Sequence, residues 1–167
     1  MAYKLDIRNI VKAHLKTLVN DGNGKADFRD WFFFLILPMM ISGILLWFKI
    51  FIHSGHIDSI IAGLSIFIGL SLNLVVLLFE VAQKETISDL KKAFIKDVIA
   101  NISFLILISV LSIIVSLFTL LGCSDKNSYC VISYITNGAT YFLLSEVLLI
   151  IVLLIRNMYF QMMEQIN

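Results

Sequence analysis

The stretch IIAGLSIFIGLSLNLVVLLF, Ile60–Phe79, decides the fold. Its one strongly polar residue is Asn73. Twenty helical residues rise about 30 Å, the thickness of a bilayer's hydrocarbon core. The run shows no alternation of period two, which argues for a helix over a barrel strand. In lipid a backbone must satisfy its own peptide groups, and a helix does so within one segment.

Three more blocks of this kind flank it. Trp31–Ile52 is broken only by Pro38, Ser42, Gly43 and Lys49, Val98–Leu121 is serine-rich but uncharged, and Ile132–Ile155 carries Glu146. The expected fold is all-α: a polytopic membrane protein with four transmembrane helices behind an N-terminal amphipathic helix. Residues 1–26 form that helix and a linker, and residues 27–167 form the transmembrane domain. Composition agrees, since 59% of the 167 residues are hydrophobic and 15% charged, with a mean hydropathy of +0.93. Soluble domains run near 45–50% and about 25%, and their helices are apolar along one stripe only. The first thirty residues are mixed and polar, and are not expected to act as a cleaved signal peptide.

The basic residues set the orientation, because Lys and Arg accumulate in cytoplasmic segments. Lys4, Arg8, Lys12, Lys16, Lys25 and Arg29 precede the first span, Lys84, Lys91, Lys92 and Lys96 lie between the second and third, and Arg156 follows the fourth. The opposite loops, His53–Ser59 and Gly122–Val131, hold only Lys126, with Lys49 near the membrane edge. Both termini are expected in the cytoplasm of a bacterial cell whose inner membrane holds the chain. Trp31, Trp47, Tyr129, Tyr134 and Tyr159 fall at block edges, as interfacial anchors do. Cys123 and Cys130 share the short outer loop, and a disulfide between them is expected there, pinning the hairpin between spans three and four.

Tyr3–Val19 reads as an amphipathic helix. Tyr3, Ile7, Ile10, Val11, His14, Leu15 and Leu18 follow helical spacing, with Lys4, Arg8, Lys12 and Lys16 on a basic face. Asp21–Gly24 stops it, and a new helix is expected from Asp27. The basic face suits anionic headgroups. The apolar side suits equally a partner protein or the segment Glu80–Asp97. In that segment, Thr86 and Asp89 have the spacing of a capping box, so span three is expected to begin outside the membrane and run on unbroken. Lys91, Lys92 and Lys96 there are candidates for contact with a partner or with headgroups.

Several intramembrane polar residues are candidates for function. Glu146 sits ten residues before Arg156, about 15 Å inward. A carboxylate at that depth is costly, and it either ties helices together or lines an ion path. Asn73 and Glu80 lie two turns apart on one face of span two, extended by Ser65 and Gly69 in a small-xxx-small pattern that allows close helix approach. Ser109, Ser112, Ser116 and Thr119 form a stripe on span three, with Asn101 and Ser103 nearer its start, and Asn137, Thr140 and Ser145 add polarity to span four. Such stripes serve helix packing or line a pore. His53, His56 and Asp58 read as a polar turn rather than a metal site.

No nucleophile–base pair, phosphate loop, H-E-x-x-H or dinucleotide fingerprint occurs, so no enzymatic activity, cofactor or metal is expected. A net charge of +1 gives no reason to expect direct nucleic-acid binding. Three functions compete: a self-associating membrane sensor or scaffold that recruits a cytosolic protein, a pore-forming subunit, and an immunity protein against a pore-forming toxin. The plan of amphipathic Tyr3–Val19, four compact spans and the basic linker Lys84–Lys96 resembles the small membrane components of bacterial anti-phage systems such as Kiwa. The resemblance implies an inner-membrane subunit working with a cytosolic effector. Four-span colicin immunity proteins are similar in plan. The Ile-, Phe-, Lys- and Asn-rich usage suits an AT-rich mobile gene of either kind.

Overall fold

The structure, a computed structural model, describes residues 7–19, 35–83, 88–121 and 131–166. Five α-helices follow in order: α1 (Ile7–Val19), α2 (Leu37–Trp47), α3 (Ser54–Ala82), α4 (Asp89–Leu121) and α5 (Val131–Ile166). No strand forms among the described residues. Three helices are long and apolar enough to cross a membrane: α3 over Gly55–Ala82, α4 over Lys91–Leu120 and α5 over Val131–Tyr159. The chain is a helical membrane protein. Residues 1–6, Asp21–Gly24, Asp27, Trp31, Thr86 and the pair Cys123 and Cys130, with the expectations attached to them, lie outside the described residues.

The first apolar block behaves differently from the other three. Its α-helix begins at Leu37, with Pro38 in the first turn and a short π-type turn at residues 35–36 before it. Proline has no N–H to donate backwards, so a first turn accommodates it where a helix interior does not. The helix ends at Trp47, five residues before the boundary expected at Ile52. Ile50 N donates to Leu45 O and Lys49 N to Leu46 O, both at 3.0 Å, while Lys49 takes a left-handed φ of 55°. These two bonds close a Schellman cap, with lysine in the position glycine usually holds. The eleven residues of α2 rise only about 17 Å, roughly half of the hydrocarbon core.

Two more boundaries shift. The turn expected at His53–Ser59 is mostly the first turns of α3, which starts at Ser54 after an extended His53. On the other side, α4 starts at Asp89, and the carbonyl of Ser88 accepts Lys92 N at 3.1 Å. Ser88 therefore directly precedes the helix, while the capping box expected at Thr86 lies outside the described residues. As expected, α4 then runs without a break from its charged start into the apolar part.

Packing follows a seven-residue repeat. On α4 the buried positions besides Asn101 are Ile95, Val98, Ile102, Leu105, Ser109, Ser112 and Ser116, spaced alternately three and four. On α5 they include Thr140, Leu143, Val147 and Ile150, and on α3 they are Ile57, Leu64 and Ser71. A 3-4 spacing places one stripe of each helix in a shared seam, the geometry of left-handed bundles. The α3 helix packs on α4, α4 on α5, α5 on α2, and α1 lies on α4. Leu64, Leu105, Val147 and Ile150 form the central cluster. The α4 seam changes character halfway, from large aliphatic side chains to serines that let helices approach closely.

Candidate functional site

The amphipathic helix finds its partner within the chain. His14 of α1 is 2% exposed and Asn101 of α4 is 1% exposed. The Nδ1 of His14 donates to Oδ1 of Asn101 at 2.8 Å, since a carbonyl oxygen only accepts. The imidazole also stacks on Phe104, with ring centroids 4.0 Å apart and planes 12° from parallel. Burial holds the imidazole below its ordinary pKa, against a smaller upward pull from the Asn101 hydrogen bond. Docking therefore favours the neutral ring.

The level of this contact is informative. Asn101 precedes Leu121 by twenty residues, about 30 Å of helix and one hydrocarbon thickness. If Leu121 marks one membrane boundary, α1 is fastened where α4 leaves the other. The twelve residues of α4 before Asn101 extend about 18 Å further. They carry Lys91 and Lys96, both exposed, and the half-buried Lys92. On α1, Arg8 and Lys12 are exposed. Two helices in contact thus present basic side chains at one end of the bundle. Lys4 lies outside the described residues, and Lys16 is placed only as part of the α1 backbone.

At the other end, α2 and the loop after it are stitched to the start of α5. Asn137, 2% exposed, accepts the Ile52 N–H at 2.9 Å through Oδ1 and donates to Ser133 O at 2.8 Å through Nδ2. Ser42 Oγ donates to Gly138 O at 2.8 Å, and Tyr141 OH to Ile50 O at 3.2 Å. Phe51 meets Tyr134 edge-on at 4.8 Å. A Cβ on Gly138 would lie 2.9 Å from Leu46 Cδ1, so glycine there permits the close approach of α2.

The other candidates separate into buried and outward groups. Ser109, Ser112 and Ser116 are 0% exposed, and their hydroxyls make no hydrogen bond to the described groups. Rotation about χ1 would bring each near the carbonyl four residues back, as Thr119 and Ser145 already arrange theirs. Thr140 is fully buried and sits 3.3 Å from Thr119. Glu146 is half-buried on α5 and forms no ion pair among the described residues. By contrast, Ser65, Gly69, Asn73 and Glu80 are all exposed on α3, so this stripe packs against none of the described helices. His53, His56 and Asp58 are exposed, and no metal-binding cluster occurs among the described residues.

Sequence reasoning placed His14 among the apolar positions and so missed it as the latch of α1. A histidine in an otherwise aliphatic stripe was the available signal. Ser42 was read only as an interruption and Gly138 not at all, and their pairing joins segments 96 residues apart. No protein-family profile, curated protein or solved structure matches the chain.

Proposed function

We propose that the chain is a self-associating inner-membrane sensor or scaffold subunit that holds a cytosolic effector protein at the bilayer, in the manner of the anti-phage membrane components it resembles. The carrying observation is the His14–Asn101 latch. It turns α1 from a loose amphipathic segment into a fixed basic platform on the stem of α4. Arg8, Lys12, Lys91 and Lys96 then face water together at one end, a surface suited to an acidic patch on a partner. The distribution of Lys and Arg makes that end cytoplasmic, with both termini on the same side. Accordingly, tags at either terminus are expected to resist protease added outside intact cells. Cleavage of an N-terminal tag from outside would reverse the orientation.

The reading as a conduit has less behind it. A conduit along Ser109, Ser112 and Ser116 needs water beside residues that are 0% exposed within the bundle. The scaffold reading is tested by co-expressing the tagged chain with the product of the neighbouring gene and purifying from solubilised membranes. The soluble protein is expected to co-purify, and to be lost with Arg8→Glu plus Lys12→Glu while the membrane chain is recovered in full. Equal retention by the double reversal, or no retention by the wild type, would refute the platform.

A further inference from the structure

The outward face of α3 is the least accounted-for surface of the bundle. In the apolar window of α3 only 11% of residues are buried, against 33% in α4 and 28% in α5. The buried seam of α3 uses Ile57, Leu64 and Ser71. The opposite face carries Ala62, Ser65, Gly69, Asn73 and Val76, all exposed. Among the described residues, no atom of another element comes within 4 Å of where a Cβ on Gly63 or Gly69 would lie. Small residues four apart let a second helix come close, but small residues alone do not demand one.

Asn73 supplies the demand. It lies seven residues before Glu80, about 10 Å up the helix and within the hydrocarbon-length run. Its side chain makes no hydrogen bond among the described residues, whereas Ser65 on the same face is satisfied by Ile61 O at 2.7 Å. A carboxamide carries donors and an acceptor that lipid cannot meet. The covering helix must therefore offer both a donor and an acceptor at the depth of Asn73.

We infer that α3 pairs with α3 of a second copy, around a two-fold axis along the membrane normal, with the two Asn73 amides bonded to each other. Copies inserted in the same orientation bring identical residues to identical depth, so Asn73 automatically meets Asn73. The amide is self-complementary, donating from nitrogen and accepting on oxygen, as an isologous contact requires. Ser65 and Gly69 sit at the crossing. With Gly69 at the closest point and the crossing angle of about 40° common for small-xxx-small pairs, the axes are offset sideways by ~4 Å at Asn73, within amide reach, and by ~11 Å at Glu80. The two Glu80 carboxylates are thus kept apart at the wet edge. The inference rests on the reading of the chain as self-associating, and adds which face is used and what holds it.

The test is a single-cysteine cross-linking scan in proteoliposomes of the purified chain, with Cys123 and Cys130 replaced by alanine. Disulfide dimers are expected at Ser65, Gly69, Asn73 and Val76, and none at Leu64, Phe67 or Ser71. Sedimentation equilibrium in detergent, with both native cysteines present, provides a second measurement. There Asn73→Val is expected to weaken the dimer about tenfold, and Gly69→Leu to abolish it. Dimers cross-linking through Leu148 or Val152 of α5 instead would overturn the α3 seam and leave self-association standing. A monomer in both measurements would overturn both. Cross-links from Gly69 to a different membrane protein in cells, absent between purified copies, would also overturn it.

Discussion

Replacing Asn137 with leucine is expected to release α2 and its loop from α5 and to cost about 1–3 kcal/mol of stability. The Ile52 N–H currently donates to Asn137 Oδ1 at 2.9 Å beside a residue 2% exposed. Leucine fills similar volume but accepts nothing, so that N–H is left in an apolar setting without a partner. The anchoring is local and has a steric half. Gly138→Phe is expected to lower stability by a similar amount, because Leu46 and Ser42 occupy the space. Gly138→Ala is the control: the one contact its Cβ makes too closely is with the tip of Leu46, which can swing aside, so the loss stays small. Thermal unfolding in detergent, followed by size exclusion, reads all three. If Asn137→Leu melts with the wild type, the stitching of α2 to α5 is incidental.

Replacing His14 with alanine is expected to undock α1. The change removes the hydrogen bond from Nδ1 to the Asn101 carbonyl and the ring stack on Phe104. The hydrogen bond contributes about 0.5–1.5 kcal/mol and the stack about as much again. A free helix of thirteen residues is marginal, so α1 does not keep its place unaided. Spin labels at Lys12→Cys and Lys96→Cys are expected to give one narrow distance in the wild type and a broad one in His14→Ala. His14→Phe should fall between, keeping the stack and losing the bond. Acid should act in the same direction. The docked imidazole has a lowered pKa, so the undocked ring binds protons more readily. Docking strength is full above the ordinary imidazole range and declines as pH falls through it, until the docked ring also protonates. A distance distribution unchanged between pH 8 and pH 5 would contradict the burial argument.

Much of the architecture was legible in hydropathy because lipid permits few solutions. The three long helices enclose the blocks Ile60–Phe79, Val98–Leu121 and Ile132–Ile155; α3 and α5 extend past theirs at both ends and α4 at its start, since helical hydrogen bonding does not stop where hydropathy does. The first block was harder to read. Averaged hydropathy passes over Pro38 and Lys49, whereas the backbone answers to one missing N–H and one left-handed cap. Site reading divided the same way. The serine stripe was visible from its spacing, and its burial from nothing but three-dimensional packing. The role of His14 was missed because an amphipathic pattern treats histidine as an acceptable apolar neighbour, and its partner Asn101 lies 87 residues away.

The uninterrupted run of α4 has a mechanical consequence. A rod of 33 residues is about 50 Å long. A tilt of about 10° pivoting at Leu121 would swing Asp89 sideways by about 9 Å. Small changes in bilayer thickness or lateral pressure at one face would thus become displacements of side-chain size at the far tip, carried by a lever with no hinge along its length.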